Sequence, residues 1–274
     1  MCIIKPTEDA AMKKWNHSCE PIEGGVRIKN SRYYFDYTYN APGDLIDIVE
    51  PQIYATVHNN NVYRFGYRFN ESASSSDRTK FIHSIKQIGD NPLSNDQLEQ
   101  FIKRPLKYLN DEVNLYKIDC LVYPLSQRSP LVSKMIKCIN EMTSHHMHRC
   151  SFELVKQAPQ NIEFDFDLFE SEHGDEQGYQ AMLKHVNETL LPKLRSLDYF
   201  SIAQNVKSKY RPYITGFIDF SNMDDIEKFS KFQGTNILVV DDINTTGSTL
   251  NEILRKLGEL NNNCNIFVYT LLGK

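Results

Sequence analysis

Apolar positions change their spacing partway along this chain. Between residues 23 and 69 they gather with aromatic and β-branched residues at the two-residue period of strands. Val26-Arg27-Ile28-Lys29 and the run from Tyr33 to Tyr39 flank a turn at Asn30-Ser31. Ile53 to Val57 and Val62 to Phe69 flank His58 and three asparagines, the pattern of a hairpin. In its second strand aromatic and polar residues alternate, which predicts one packed and one wet face. A serine-rich, flexible connection over 72–77 follows, with Ser75 to Asp77 as candidate caps for a helix over 78–88. A second helix is predicted over 95–109. There Ser94-Asn-Asp-Gln97 has the form of a capping box, and Pro105 is expected to kink or break the helix.

From Ile118 onward strand and helix alternate. Ile118 to Tyr123 is a candidate strand ended by Pro124, and the helix predicted over 131–142 carries Ile136, Ile139 and Met142 on one stripe. Phe152 to Val155, Ile237 to Val240 and Ile266 to Leu272 complete the set of strands. Such alternation implies right-handed βαβ crossovers. The expected fold class is therefore α/β: a mostly parallel sheet with flanking helices, preceded by a partly antiparallel β module. The division that follows is 1–111 for the N-terminal module and 112–274 for the α/β domain, with an insert at about 157–200. No internal repeat is visible.

Composition narrows this picture. The 274 residues leave room for one large domain or two modest ones. A net charge of −4 gives no general attraction to nucleic acid or to a membrane surface. Cys2, Cys19, Cys120, Cys138, Cys150 and Cys264 are scattered without Cys-x-x-Cys spacing, so they read as reduced thiols of a cytosolic protein. Acids at Glu8 and Asp9 and the lack of a long apolar run argue against a signal peptide. No eighteen consecutive apolar residues occur, so no membrane span is expected and the protein is placed in the cytoplasm. Ser144-His-His-Met-His-Arg149 has no second ligand cluster at zinc spacing, and is expected to be an exposed helix end rather than a metal site. The acidic tract from Glu163 to Gln177 is expected to be a solvated or partner-facing insert that begins in a strand.

The chemistry concentrates at residues 237–249, Ile-Leu-Val-Val-Asp-Asp-Ile-Asn-Thr-Thr-Gly-Ser-Thr. Four apolar residues describe a strand buried on both faces, which ends in two carboxylates. Leu250, Ile253, Leu254 and Leu257 then recur at helical spacing, so a helix begins near Gly247 to Thr249. Its free N–H groups, with the hydroxyls of Thr245, Thr246, Ser248 and Thr249, suit one phosphate. Asp241 and Asp242, at the carboxyl end of the strand, suit the two vicinal hydroxyls of a ribose. The plain alternative is a strand-turn-helix whose acids cap the helix.

These thirteen positions are similar, one by one, to the phosphoribosyl-pyrophosphate (PRPP) binding motif of type I phosphoribosyltransferases. The resemblance implies that Asp241 and Asp242 contact the ribose hydroxyls while Asn244, Thr245, Thr246, Gly247, Ser248 and Thr249 wrap the 5-phosphate. It implies two further segments. Ser126, Gln127, Arg128 and Ser129 stand where the family binds pyrophosphate, although this turn lacks the glycine often found there; the alternative is a turn capping the next helix. Lys207, Lys209 and Arg211 stand where type I enzymes carry a mobile basic loop, and Lys209 to Phe217 is similar in part to a pattern of ComF-like members. Cations there would stabilise a departing pyrophosphate; the alternative is a solvated basic strand end.

The activity implied is transfer of ribose 5-phosphate from PRPP to a nitrogenous base or related acceptor. Mg²⁺ would enter through PRPP and no dedicated metal ligands are expected. The N-terminal module or the insert is the candidate hood that selects the base, and family habit makes a homodimer the expectation. Two alternatives remain open. One is a PRPP- or nucleotide-sensing protein without turnover, and the other is a hydrolase acting on ribosyl phosphates. No basic nucleic-acid face is evident.

Overall fold

A computed structural model of the chain describes residues 25–29, 32–36, 48–49, 54–58, 61–69, 75–88, 92–126, 129–143, 150–232, 236–244, 247–261 and 264–273. It divides into two compact units. The first comprises Met1–Ser151, Gly234–Asn244 and Asn263–Lys274, and the second Phe152–Gln233 and Thr245–Asn262. Among the described residues no helix is long and apolar enough to cross a membrane.

In the first unit, β1 (Gly25–Lys29) and β2 (Arg32–Asp36) form a two-stranded antiparallel sheet, with Gly25 opposite Asp36 and Lys29 opposite Arg32. The strands β3 (Ile48–Val49), β4 (Tyr54–His58) and β5 (Asn61–Phe69) belong to a second, larger sheet. The hairpin expected around the asparagines is present, with His58 opposite Asn61 in an antiparallel β4–β5 pair. Beyond it, the same β5 pairs in parallel with β12 (Asn265–Gly273), which lies parallel to β11 (Asn236–Ile243), and β11 lies parallel to β6 (Cys120–Pro124). Six strands of this unit thus form a mostly parallel sheet. Strands on both sides of residue 112 share it.

Three helices cover one face: α1 (Ser75–Ile85), α2 (Asn95–Val113) and α3 (Leu131–Met142). Their apolar stripes meet Leu121, Tyr123, Leu238, Val240, Tyr269 and Leu271 in one buried core. The helix over 131–142 has the predicted bounds. The first helix begins earlier than its sequence suggests, at Ser75, so that Ser75 and its neighbours form the first turn instead of capping it. The serine-rich residues before it lie outside the described residues.

Pro105 neither breaks nor ends its helix; α2 runs through it for 19 residues. A proline removes the N–H that would bond the carbonyl four residues back, which here belongs to Phe101. The Tyr67 hydroxyl donates to that carbonyl instead, at 3.0 Å. At the start of α2, Ser94 accepts from the Gln97 N–H at 3.3 Å and donates to the Gln97 side chain at 3.2 Å. This is half of the expected capping box, because the Gln97 oxygen is engaged by the serine hydroxyl.

The second unit contains β7 (Cys150–Lys156) from Phe152 onward, antiparallel to β10 (Ile218–Phe220). It also contains a short antiparallel pair of β8 (Glu163–Phe164) and β9 (Ile214–Thr215). The strand expected at the start of the acidic tract is β8. The rest of the tract turns into helix α4 (Phe166–His173), capped by Asp165 accepting from the Leu168 N–H at 2.9 Å. Then follow α5 (Tyr179–His185), continued by a π-helical turn at Val186–Leu190, α6 (Leu191–Arg195) and α7 (Ile202–Asn205). A 3₁₀ segment (Ser208–Tyr213), α8 (Met223–Ser230) and α9 (Ser248–Leu260) complete the unit. Aromatic contacts hold it: Phe152, Phe220 and Phe229 make one cluster, and Phe164, Phe169 and Tyr213 another.

Candidate functional site

In the first unit the parallel strands present their carboxyl ends at one edge, where open α/β sheets bind ligands. Asp241 and Asp242 lie there, both buried, at 5% and 8% exposure. The strand does not stop at them: β11 continues to Ile243, which pairs with Leu272, and the Asn244 N–H donates to the Leu272 carbonyl at 2.8 Å. Asp241 stands opposite Thr270 of β12, and its carboxylate accepts from the Asp242 N–H at 2.8 Å. Consecutive strand residues leave opposite faces, so Asp242 emerges on the side of Leu238 and Val240, which pack under the helices.

A cation meets Asp242 on that side. The Lys86 ammonium lies 2.7 Å from its carboxylate, reaching from the turn that ends α1. Gln87 closes this turn in the left-handed region, at φ 55°, uncommon for a residue other than glycine. Its N–H donates to the Ser84 carbonyl and its side-chain amide donates to the Leu93 carbonyl and to Asn95. The Lys134 ammonium of α3 donates to the Gln87 side-chain oxygen at 3.0 Å. Burial holds the Lys134 ammonium below its usual range. Nothing in the local sequence marks Lys86, because its partner is far along the chain.

The turn before α3 is bonded to itself. The Ser129 N–H donates to the Ser126 hydroxyl at 3.2 Å, and the Leu131 N–H donates to the Ser129 hydroxyl at 3.3 Å. Ser129 is buried. Gln127 and Arg128, the other residues expected to bind pyrophosphate, lie outside the described residues, as do the histidines at 145–148.

After Asn244 the chain passes into the second unit. Thr245 and Thr246 are outside the described residues. Gly247 has φ +74° and Ser248 opens α9, with Leu250, Ile253 and Leu257 buried as the periodicity predicts. The Asn251 N–H donates to the Gly247 carbonyl at 2.7 Å and closes the first turn, in which Thr249 is half-buried. Glycine suits Gly247 because a side chain at this φ is strained.

Also in the second unit, the basic segment is a 3₁₀ turn. Lys207 and Lys209 are exposed, and the Lys209 ammonium lies 4.7 Å from the Tyr210 ring centroid. Arg211 points its guanidinium back into the segment, donating to the Val206 carbonyl at 2.8 Å and the Ala203 carbonyl at 2.7 Å. The segment ends at Gly216, whose N–H donates to the buried Glu252 carboxylate at 2.8 Å. Glu252 also takes two bonds from Arg255, each at 2.8 Å, and this pairing raises the Arg255 pKa against the opposing effect of burial. A second polar chain runs through the aromatic cluster. There the Tyr213 hydroxyl donates to Glu172 at 2.5 Å and contacts His173 at 2.7 Å, while the other ring nitrogen of His173 meets Glu176 at 2.7 Å. Burial is the main cause that pushes the Tyr213 hydroxyl far above its usual range. Among the described residues no group of three or more His, Cys, Asp or Glu side chains forms a metal-holding cluster.

No protein-family model matches the chain, and no curated protein matches it significantly. Among solved structures, a hypoxanthine phosphoribosyltransferase from Staphylococcus aureus matches with 16% identity and a TM-score of 0.32. The match covers 64% of this chain and 65% of that one.

Proposed function

We propose that this chain is a phosphoribosyltransferase that transfers ribose 5-phosphate from PRPP to a nitrogenous acceptor and releases pyrophosphate. One observation carries the proposal. Two buried carboxylates stand at the carboxyl end of a central parallel strand, and in sequence they are followed by hydroxyl-bearing residues, a left-handed glycine and the first residue of a helix. Such an arrangement offers acceptors for ribose hydroxyls and donors for a phosphate.

In this reading Asp241 and Asp242 hold the hydroxyls and residues 244–249 hold the 5-phosphate. Their work is positioning, which brings C1 of the ribose within reach of the incoming nitrogen and requires no protein nucleophile. Departure of pyrophosphate leaves positive charge at C1 and negative charge on the leaving group. Lys207 and Lys209 are the assigned cations for the latter, with Arg211 bracing the turn that carries them. The carboxylate oxygens of the acidic pair are hard donors of the kind that Mg²⁺ accepts. Bound on the diphosphate and ribose oxygens, Mg²⁺ would neutralise leaving-group charge.

A sensing protein without turnover is the second reading. It is favoured by the glycine-free segment Ser126–Ser129, in which the Ser126 hydroxyl already takes the Ser129 N–H and the Ser129 hydroxyl takes the Leu131 N–H. The deciding experiment titrates PRPP with Mg²⁺ into the wild type and an Asp241→Asn/Asp242→Asn double mutant by calorimetry, then assays pyrophosphate release with a panel of bases. Binding lost in the mutant, with release by the wild type, supports the transferase. Binding without release supports the sensor, and free ribose phosphate without acceptor points to a hydrolase. A folded wild type that binds nothing sinks all three.

A further inference from the structure

We infer that Lys86 is the resident cation of the acidic pair, and that it exchanges Asp242 for the anionic substituent on C1 of a bound ribose phosphate. The inference rests on the reading of the pair as a ribose site.

The ion pair is built into the fold rather than formed by chance on a surface. Its two side chains are only 26% and 11% exposed, and their charged atoms lie 2.7 Å apart. The turn that presents Lys86 is held from three sides. Gln87 adopts a backbone conformation that costs a non-glycine residue energy, and strain of this kind gathers at functional sites. Its side chain then ties the turn to the Leu93 carbonyl ahead of α2, to Asn95 that opens α2, and to Lys134 of α3. Lys86 follows the last residue of α1, where helix carbonyls favour a cation.

The chemistry of ribose then decides what this cation meets. C1 is bonded directly to the carbon bearing the 2-hydroxyl, whereas the 5-phosphate hangs from the far side of the ring. If Asp242 accepts from the 2- and 3-hydroxyls, a cation already beside Asp242 lies next to the C1 substituent and away from the 5-phosphate. A lysine suits the exchange, because its ammonium is a compact charge on a flexible stem that swings without breaking the turn. Paired with Asp242, it offsets one of two adjacent carboxylates. In the complex it faces the diphosphate. Lys86 thereby discriminates between a sugar carrying an anion at C1 and one carrying a hydroxyl.

The test is calorimetric titration of PRPP and, separately, of ribose 5-phosphate, both with Mg²⁺, into the full chain as wild type, Lys86→Met, Lys86→Arg and the Asp241→Asn/Asp242→Asn double mutant. The expected result is that Lys86→Met weakens PRPP roughly tenfold or more, the scale of one lost charge-assisted contact. Ribose 5-phosphate binding by that variant changes less than about threefold, and Lys86→Arg recovers most of the PRPP affinity. Equal loss of both ligands in Lys86→Met would make Lys86 a structural prop and overturn the inference. So would unchanged PRPP affinity, while loss in the double mutant would still leave the ribose site standing. Should Lys86→Met fail to fold, Lys86→Gln is read by the same criteria. A wild type that binds neither ligand removes the site and the inference together.

Discussion

The Tyr67 hydroxyl occupies, at the Phe101 carbonyl, the place that the Pro105 nitrogen vacates. The two rings also stack, with centroids 4.1 Å apart and planes 1° from parallel, so one tyrosine supplies both the missing hydrogen bond and the packing. Tyr67→Phe keeps the stack and removes the hydroxyl's bond to the Phe101 carbonyl in the core. It should cost about 1–2 kcal/mol in chemical denaturation. In a Pro105→Ala background the helix regains its own N–H, so the Tyr67→Phe cost should shrink. Equal costs in both backgrounds would show that the hydroxyl does not replace the proline's lost bond.

Tyr269 presents the opposite case. Its hydroxyl is fully buried and has no hydrogen-bond partner among the described residues. It fits because Gly66 on β5 has no side chain: a Cβ there would stand 2.8 Å from the hydroxyl and 3.0 Å from the Leu271 carbonyl and from Pro105. Tyr269→Phe should therefore be neutral or stabilise by up to about 1 kcal/mol. Gly66→Ala should destabilise by about 1–3 kcal/mol through overpacking. Melting of the two variants beside the wild type decides the matter. A Tyr269→Phe protein that melts well below wild type would reveal a partner for the hydroxyl.

Glu252 holds the second unit at a point where sequence offers little hint. Its side chain is 1% exposed and serves the Gly216 N–H and the Arg255 guanidinium together. Glu252→Ala should destabilise by about 2–4 kcal/mol, because it strands a part-buried N–H and removes the partner of a charge. Arg255 is one-third exposed and keeps Glu259, which holds the estimate below that for a fully buried pair. A drop in stability under 1 kcal/mol by urea denaturation would contradict this account.

Alkaline pH should unfold the protein for a defined reason. Burial pushes the Cys138 thiol up from 9.0 to about 11, and pushes the Tyr269 hydroxyl above its unfolded value of 10.0. Both groups are neutral when protonated and are raised in the folded state. Their contribution is therefore fully present below pH 9 and is lost as pH rises, first through the thiol window between 9.0 and about 11. Urea midpoints should be level through neutral pH and decline above pH 9. Replacing Cys138 by Ser, Ala or Val should flatten the first part of that decline. An unchanged slope in every one of these variants would assign it to other groups.

Where local pattern governs, sequence reading succeeded. The apolar run, acidic pair and leucine periodicity located β11 and α9 because strand and helix faces are written in side-chain spacing over a few residues. The bounds of α3 and the β4–β5 hairpin are legible for the same reason. The acidic pair as a chemical feature also needs no tertiary information.

Tertiary structure alone decided the rest. Parallel pairing of β5 with β12 joins strands far apart along the chain, and no periodicity within either encodes its neighbour. Pro105 is tolerated because the Phe101 carbonyl it leaves is served by a hydroxyl 34 positions from that carbonyl. Gly216 is anchored by a carboxylate 36 positions away. Lys86 is an ordinary helix-end lysine until the fold sets it against Asp242. Spacing along a chain specifies which face a side chain takes. What that face meets depends on which segments pack together, because burial and pairing free energies are set by the assembled neighbours.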